Sequence, residues 1–207
     1  MKIENCSLCI ATRDISDDIK NIPIENTRLL ISSNFVVMPC VGPFTEGQLM
    51  IVGKEHIPNL SKMSLDQLVE CFDLISLVSK KTGELYSNDI LYAEHGAFND
   101  VQKSGACVVH THIHCIPGFE KDEATFIKVL PLLYEGFDKS EILRLSIPYI
   151  LTITGNDNLI HIYDASDVPS QMIRKILLSN RGIMDDWNWR VNHRFDLIEN
   201  TVERWTK

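Results

Sequence analysis

The chain has 207 residues, 44% of them hydrophobic and 23% charged, with a formal net charge of −8 and a pI near 5.3. These are ordinary values for a globular protein, and the length allows one large domain or one domain with a substantial extension. With no run of Lys and Arg, the acidic balance argues against a nucleic-acid polymer as partner, because such binding is driven by basic patches. A small phosphorylated ligand needs only a few local donors and stays open.

In chain order, the opening MKIENCSLCI lacks a basic stretch followed by an apolar run, so no secretory signal is expected there. Nowhere do 18 apolar residues follow one another, so no membrane span is expected. A cytoplasmic location without a membrane partner is the expectation. In that compartment the six cysteines read as metal ligands or free thiols rather than disulfides. Cys6 and Cys9 form C-x-x-C, a spacing that lets two thiolates reach one tetrahedral ion at about 2.3 Å. By itself this is half a site; a redox pair or two buried thiols are the alternatives, although the flanks lack a thioredoxin-like βαβ context.

Residues 11–26 read as a polar connecting segment. Strands are predicted at 28–31 and 35–38, joined by the Ser-Ser-Asn turn at 32–34, and at 48–52. The last ends in Gly53-Lys54-Glu55-His56, placing His56 just beyond a strand end, where ligands and catalytic groups are often presented. Ser64 followed by Gln67 gives a capping-box pattern. Leu65, Leu68, Val69, Phe72, Ile75 and Val78 then fall at helical spacing. Residues 89–93 read as a further strand, ending in Glu94-His95-Gly96.

A polar loop at 97–104 leads into Gly105–Pro117, GACVVHTHIHCIP. As a strand, it puts His110, His112 and His114 on one face, about 7 Å apart at alternate residues. Three imidazoles in a row are costly in a core and unusual on a solvated strand, so the stretch is read as a site. After Pro117, helices are expected at 122–133, 139–145, 168–179 and 197–205. Strands are expected at 149–154 and 159–163, around the hairpin signal Gly155-Asn-Asp-Asn158.

The segment His110-Thr111-His112-Ile113-His114-Cys115-Ile116 resembles the His-φ-His-φ-His-φ-φ pattern of the histidine triad (HIT) superfamily of nucleotide hydrolases and transferases. Thr111 departs from it at the first φ. The upstream pieces stand in family order: C-x-x-C, a strand ending in Lys54-Glu55-His56, a helix, a strand ending in glycine, then the triad. The resemblance covers roughly residues 4–118. Pro169-Ser-Gln171 and Trp187-Asn-Trp189-Arg190 look like the tails of longer bacterial HIT-like proteins.

This resemblance implies an α+β fold: a five-stranded antiparallel sheet with helices, usually in a homodimer. It divides the chain into a catalytic core at 1–118 and an α/β extension at 119–207 packed on that core. It implies a structural zinc held by Cys6, Cys9, His56 and His110, with His95 the rival fourth ligand. His112 is the implied nucleophile, attacking the α-phosphorus of a dinucleoside polyphosphate or nucleoside phosphoramidate, with His114 handling a proton or a phosphoryl oxygen. Gly105, Ala106 and Cys107 are placed to cradle phosphate, and Glu94 to touch substrate. Ala106 and Cys107 stand where the family commonly has Gln and Ser or Thr, and a thiol is a weak donor, so Lys103, Ser104 or Arg190 are candidates to rebuild those contacts. The alternatives are a nucleotidyltransferase of the same superfamily, a metalloenzyme using the three histidines as ligands, and a non-catalytic, zinc-stabilised nucleotide-binding module.

Overall fold

A computed structural model describes residues 6–13, 22–97, 108–183 and 187–207. Within these residues, eight strands form one antiparallel sheet: β1 (Leu30–Ile31), β2 (Phe35–Pro39), β3 (Leu49–Gly53), β4 (Ile90–Gly96), β5 (His112–Pro117), β6 (Leu132–Gly136), β7 (Tyr149–Thr154) and β8 (Ile160–Asp164). Their order across the sheet is β1-β2-β3-β5-β4-β7-β8-β6. The first five are the expected core sheet. The extension adds the other three to its β4 side, so core and extension share one continuous sheet. Among the described residues, four α-helices accompany it: α1 (Ser7–Thr12), α2 (Leu65–Leu85), α3 (Met172–Asn180) and α4 (Phe195–Thr206). None of the helices is long and apolar enough to cross a membrane among the described residues.

Strands β2 (FVVMP) and β3 (LMIVG) are buried along their whole length, as expected when both faces of a sheet are covered. On one face, Val37, Leu49, Ile51, Tyr92, Ile113 and Cys115 pack against Leu68, Cys71, Ile75 and Val78 of α2. Helix α2 starts at the expected box: Gln67 N–H donates to the Ser64 hydroxyl at 3.2 Å, and Ser64 N–H donates to Gln67 Oε1 at 2.9 Å. On the other face, Val36, Met38, Met50 and Val52 meet Leu8 and Ala11 of α1, while Leu91, Ala93 and Ile116 meet Ile173, Ile176 and Leu177 of α3. The alternation along β5 follows: Ile113 and Cys115 face α2, and His112 and His114 face the side of α1 and α3.

Several expectations change. The strand read from residue 105 begins at His112. The stretch 122–133 is a 3-10 helix at Glu120–Lys128 followed by strand β6, and the second expected helix is 3-10 at Lys139–Arg144. The segment 11–26, expected to be a connection with one short helical turn, includes the end of α1 and a 3-10 turn at Ile24–Asn26.

Candidate active site and metal cluster

Cys6 caps the N-terminus of α1 and Cys9 lies one turn on, so both thiols share a face of the helix. His56 follows the end of β3, and His110 precedes β5. Thr111 fastens this junction: its N–H and hydroxyl both donate to Ile57 O, at 2.7 and 2.9 Å, while Gly53 N–H donates to Thr111 O at 3.1 Å. The hydroxyl accounts for a threonine at the first φ of the triad, since the side chain is fully buried yet satisfied.

The sulfurs of Cys6 and Cys9 and the Nδ1 atoms of His56 and His110 converge. His110 Nδ1 lies 3.5 Å from each sulfur and 3.3 Å from His56 Nδ1, and Cys9 Sγ lies 3.2 Å from His56 Nδ1. Zinc-length bonds in a tetrahedron give edges of about 3.6 Å between sulfur and nitrogen and about 3.3 Å between nitrogens. All four ligand atoms fall within 4.8 Å of one another, and they could hold a metal. The donor chemistry fits too. His110 Nε2 lies 2.6 Å from Gly53 O; a carbonyl only accepts, so the proton is on Nε2 and the lone pair of Nδ1 faces the cluster. Burial and the neighbouring Cys6 push the Cys9 thiol up to about 11, a cost that a bound cation relieves. His95, the rival ligand, is not in this cluster.

His112 and His114 stand beside it with ring centroids 5.3 Å apart. His112 Nδ1 lies 2.6 Å from His110 O, which by the same logic puts the proton on Nδ1 and the lone pair on Nε2. Burial lowers the pKa of both rings; for His114, His112 and then Arg174 lower it further. Both are neutral imidazoles at pH 7. His114 Nδ1 also lies 3.5 Å from Cys40 Sγ.

The two rings line a cavity of about 190 Å³. Its walls come from the sheet, the start of α1, the start of α3 and Trp189, with Met38, Met50, Leu8 and Ile173 supplying apolar surface. His95 belongs to this wall as well, its pKa pushed down to about 4 by burial and then by His112.

A family model for the HIT domain matches residues 24–121. Over that stretch, just under half of the chain, the sequence is similar to a HIT domain. No curated protein sequence matches the chain. Among solved structures, the chain is similar to a hypothetical histidine triad nucleotide-binding protein from Sulfolobus tokodaii strain7, with 22% identity and a TM-score of 0.38 over 44% of this chain and 58% of that protein. The chain therefore spans less than two thirds of that protein's length. It is also similar to a Zn-bound histidine triad family protein from Mycobacterium smegmatis, with 19% identity and a TM-score of 0.44 over 69% of this chain and 91% of that one. A third is a Hit-like protein involved in cell-cycle regulation from Bartonella henselae, with 18% identity, a TM-score of 0.37 and coverage of 44% and 67%.

The sequence-predicted residues separate into three groups. Cys6, Cys9, His56 and His110 come together as one cluster, and His112 and His114 share the cavity. Glu94, expected at the substrate, instead points to the α2 face, where it is 1% exposed and accepts from Tyr149 O–H at 2.5 Å and Leu60 N–H at 3.1 Å. Gly105, Ala106 and Cys107 lie outside the described residues, as do Lys103 and Ser104. The sequence reading also passes over Cys40 and Arg174, which stand against the triad.

Proposed function

We propose that this protein is a nucleotide hydrolase acting at the α-phosphorus of a dinucleoside polyphosphate or nucleoside phosphoramidate. One observation carries the reading: the Nδ1–H of His112 is committed to His110 O, which leaves a neutral Nε2 lone pair on a ring that lines the cavity. Attack by that nitrogen forms a P–N bond while the bond from phosphorus to the leaving group breaks, its electron pair departing with the leaving group. The leaving group takes its proton from solvent, while the neutral His114 ring is placed to hydrogen-bond a phosphoryl oxygen. Water then attacks the nucleotidyl-histidine, breaking the P–N bond and releasing a nucleoside monophosphate. Neutrality matters here, because a protonated imidazole has no lone pair on Nε2 to offer.

We read the neighbouring cluster as a structural zinc site. Four protein donors close a tetrahedron and leave no open position for substrate or water. An ion held there would tie the start of α1 to the end of β3 and the start of β5.

The test is intact-mass analysis after exposure to a panel of nucleoside phosphoramidates and dinucleoside polyphosphates. The wild-type chain should gain one nucleotidyl group, and His112→Ala should gain none. Turnover in the variant should fall by at least about a thousandfold, with its thermal melting preserved. Normal release of monophosphate by His112→Ala would sink the assignment.

A further inference from the structure

Arg174 brings a charge from the extension to the triad. It sits on α3, outside the HIT domain, and is 6% exposed. Its Nη1 donates to Gly42 O at 2.6 Å, and its Nη2 to Val41 O at 3.1 Å and to Cys40 Sγ at 3.4 Å. Gly42 has φ of +61° and lets the segment of Trp189 pack closely on this loop, since a Cβ there would lie 2.6 Å from Trp189 Cβ.

All three acceptors are uncharged. Burial keeps the Cys40 thiol protonated, against the opposing pull of Arg174 itself. No carboxylate pairs with the guanidinium among the described residues. Glu25 lines the same cavity but makes no ion pair with it. Three of the five N–H donors are thus used, and the other two meet no protein acceptor among the described residues.

Pinning the loop at 40–42 accounts for the donors used but not for the charge. A neutral amide could bond the same carbonyls without the cost of burying a cation whose charge is met only by the face of the Phe44 ring, 5.4 Å from the guanidinium carbon. What the guanidinium lacks is an anion, and it lines the cavity beside two neutral rings, His112 and His114. Its planar fork suits phosphoryl oxygens better than an ammonium would. Arg190, a candidate from sequence, instead lies with its guanidinium 4.9 Å from the Trp189 ring centre.

We propose that Arg174 is the phosphate-binding cation of this cavity, so that the extension supplies in cis the charge that holds substrate phosphoryl oxygens before His112. The proposal rests on the nucleotide reading above for the identity of the anion.

The experiment measures binding of inorganic phosphate, AMP and adenosine to the full-length, zinc-loaded protein by calorimetry. Arg174→Gln keeps an amide donor for the loop carbonyls while removing the charge. It should weaken phosphate and AMP binding by about 10- to 100-fold and leave adenosine binding unchanged. Arg174→Lys should retain part of the phosphate affinity, and it carries the comparison if Arg174→Gln does not fold. An equal loss for AMP and adenosine in a folded variant would overturn the proposal, as would undiminished phosphate binding. The two readings separate by intact mass. Adduct formation at His112 at the wild-type rate in Arg174→Gln overturns the role of Arg174 and spares the hydrolase. Charge-dependent phosphate binding with no adduct in any variant does the reverse.

Discussion

Glu94 and His95 are consecutive on β4, so their side chains leave the sheet on opposite faces. His95 reaches the cavity, and Glu94 enters the core, where burial outweighs its hydrogen bonds from Tyr149 and Leu60 and pushes its pKa up to about 8 from an ordinary 4.5. Between those two values the unfolded chain has released this proton while the native chain keeps it. The native state therefore binds more protons, and stability falls as pH rises through that window. Glu94→Gln removes the titration while filling the same space. Relative to wild type, the variant should gain about 1 to 3 kcal/mol between pH 5 and pH 9, read as the difference between denaturant-unfolding curves at the two pH values. A constant difference would show that Glu94 does not titrate in this way. Sequence alternation alone makes these two residues diverge, but it does not say which of them faces the triad. That choice is made by the register of Ala93 with His114, a cross-strand fact that no single strand contains. Arg174 was illegible for a related reason, since one arginine in an amphipathic helix has no pattern that distinguishes it from a solvated residue.

At the level of elements, α1 is the piece that depends most on the metal cluster. Six residues make a helix too short to persist alone, yet Ser7, Leu8 and Ala11 form part of the cavity wall. An ion bound by Cys6 and Cys9 would hold its first turn against the junctions at His56 and His110. Cys6→Ser should therefore lower bound zinc and reduce the melting temperature by about 5 °C or more. Nucleotide binding should weaken as the α1 wall loosens, although no residue that contacts substrate has changed. Elemental analysis beside thermal melting checks this, and a variant with full zinc content would remove the cluster from the account. The spacing of C-x-x-C and of the triad made the four clustered residues readable before the helix carrying two of them was. β6 was missed for the opposite cause. It is an edge strand whose apolar residues are largely exposed, so burial imposes no alternation on Leu132, Leu133 and Tyr134. Pairing with β8, a contact distant in sequence, is what makes it a strand.

For the molecule as a whole, the decisive pairing is that of β4 with β7, six residue pairs long. It turns what would be an edge of the five-stranded core into the interior of an eight-stranded sheet. The apolar surface follows the same plan: Leu91, Ile116 and Phe119 of the amino-terminal part share one buried cluster with Phe126, Ile150, Tyr163 and Ile173 of the extension. Cutting the chain after residue 121 would expose those three side chains and a full row of β4 backbone groups. At about 2 kcal/mol per side chain, the lost burial alone comes to about 6 kcal/mol, as much as the whole stability of many domains. The bare edge would in addition offer a template for strand pairing between copies. A chain of residues 1–121 should therefore be aggregated by size-exclusion chromatography and lack a cooperative thermal transition, even when loaded with zinc. A soluble fragment that melts cooperatively would mean that the HIT domain folds alone. The extension would then be an addition to the active site rather than a condition for the sheet that carries it.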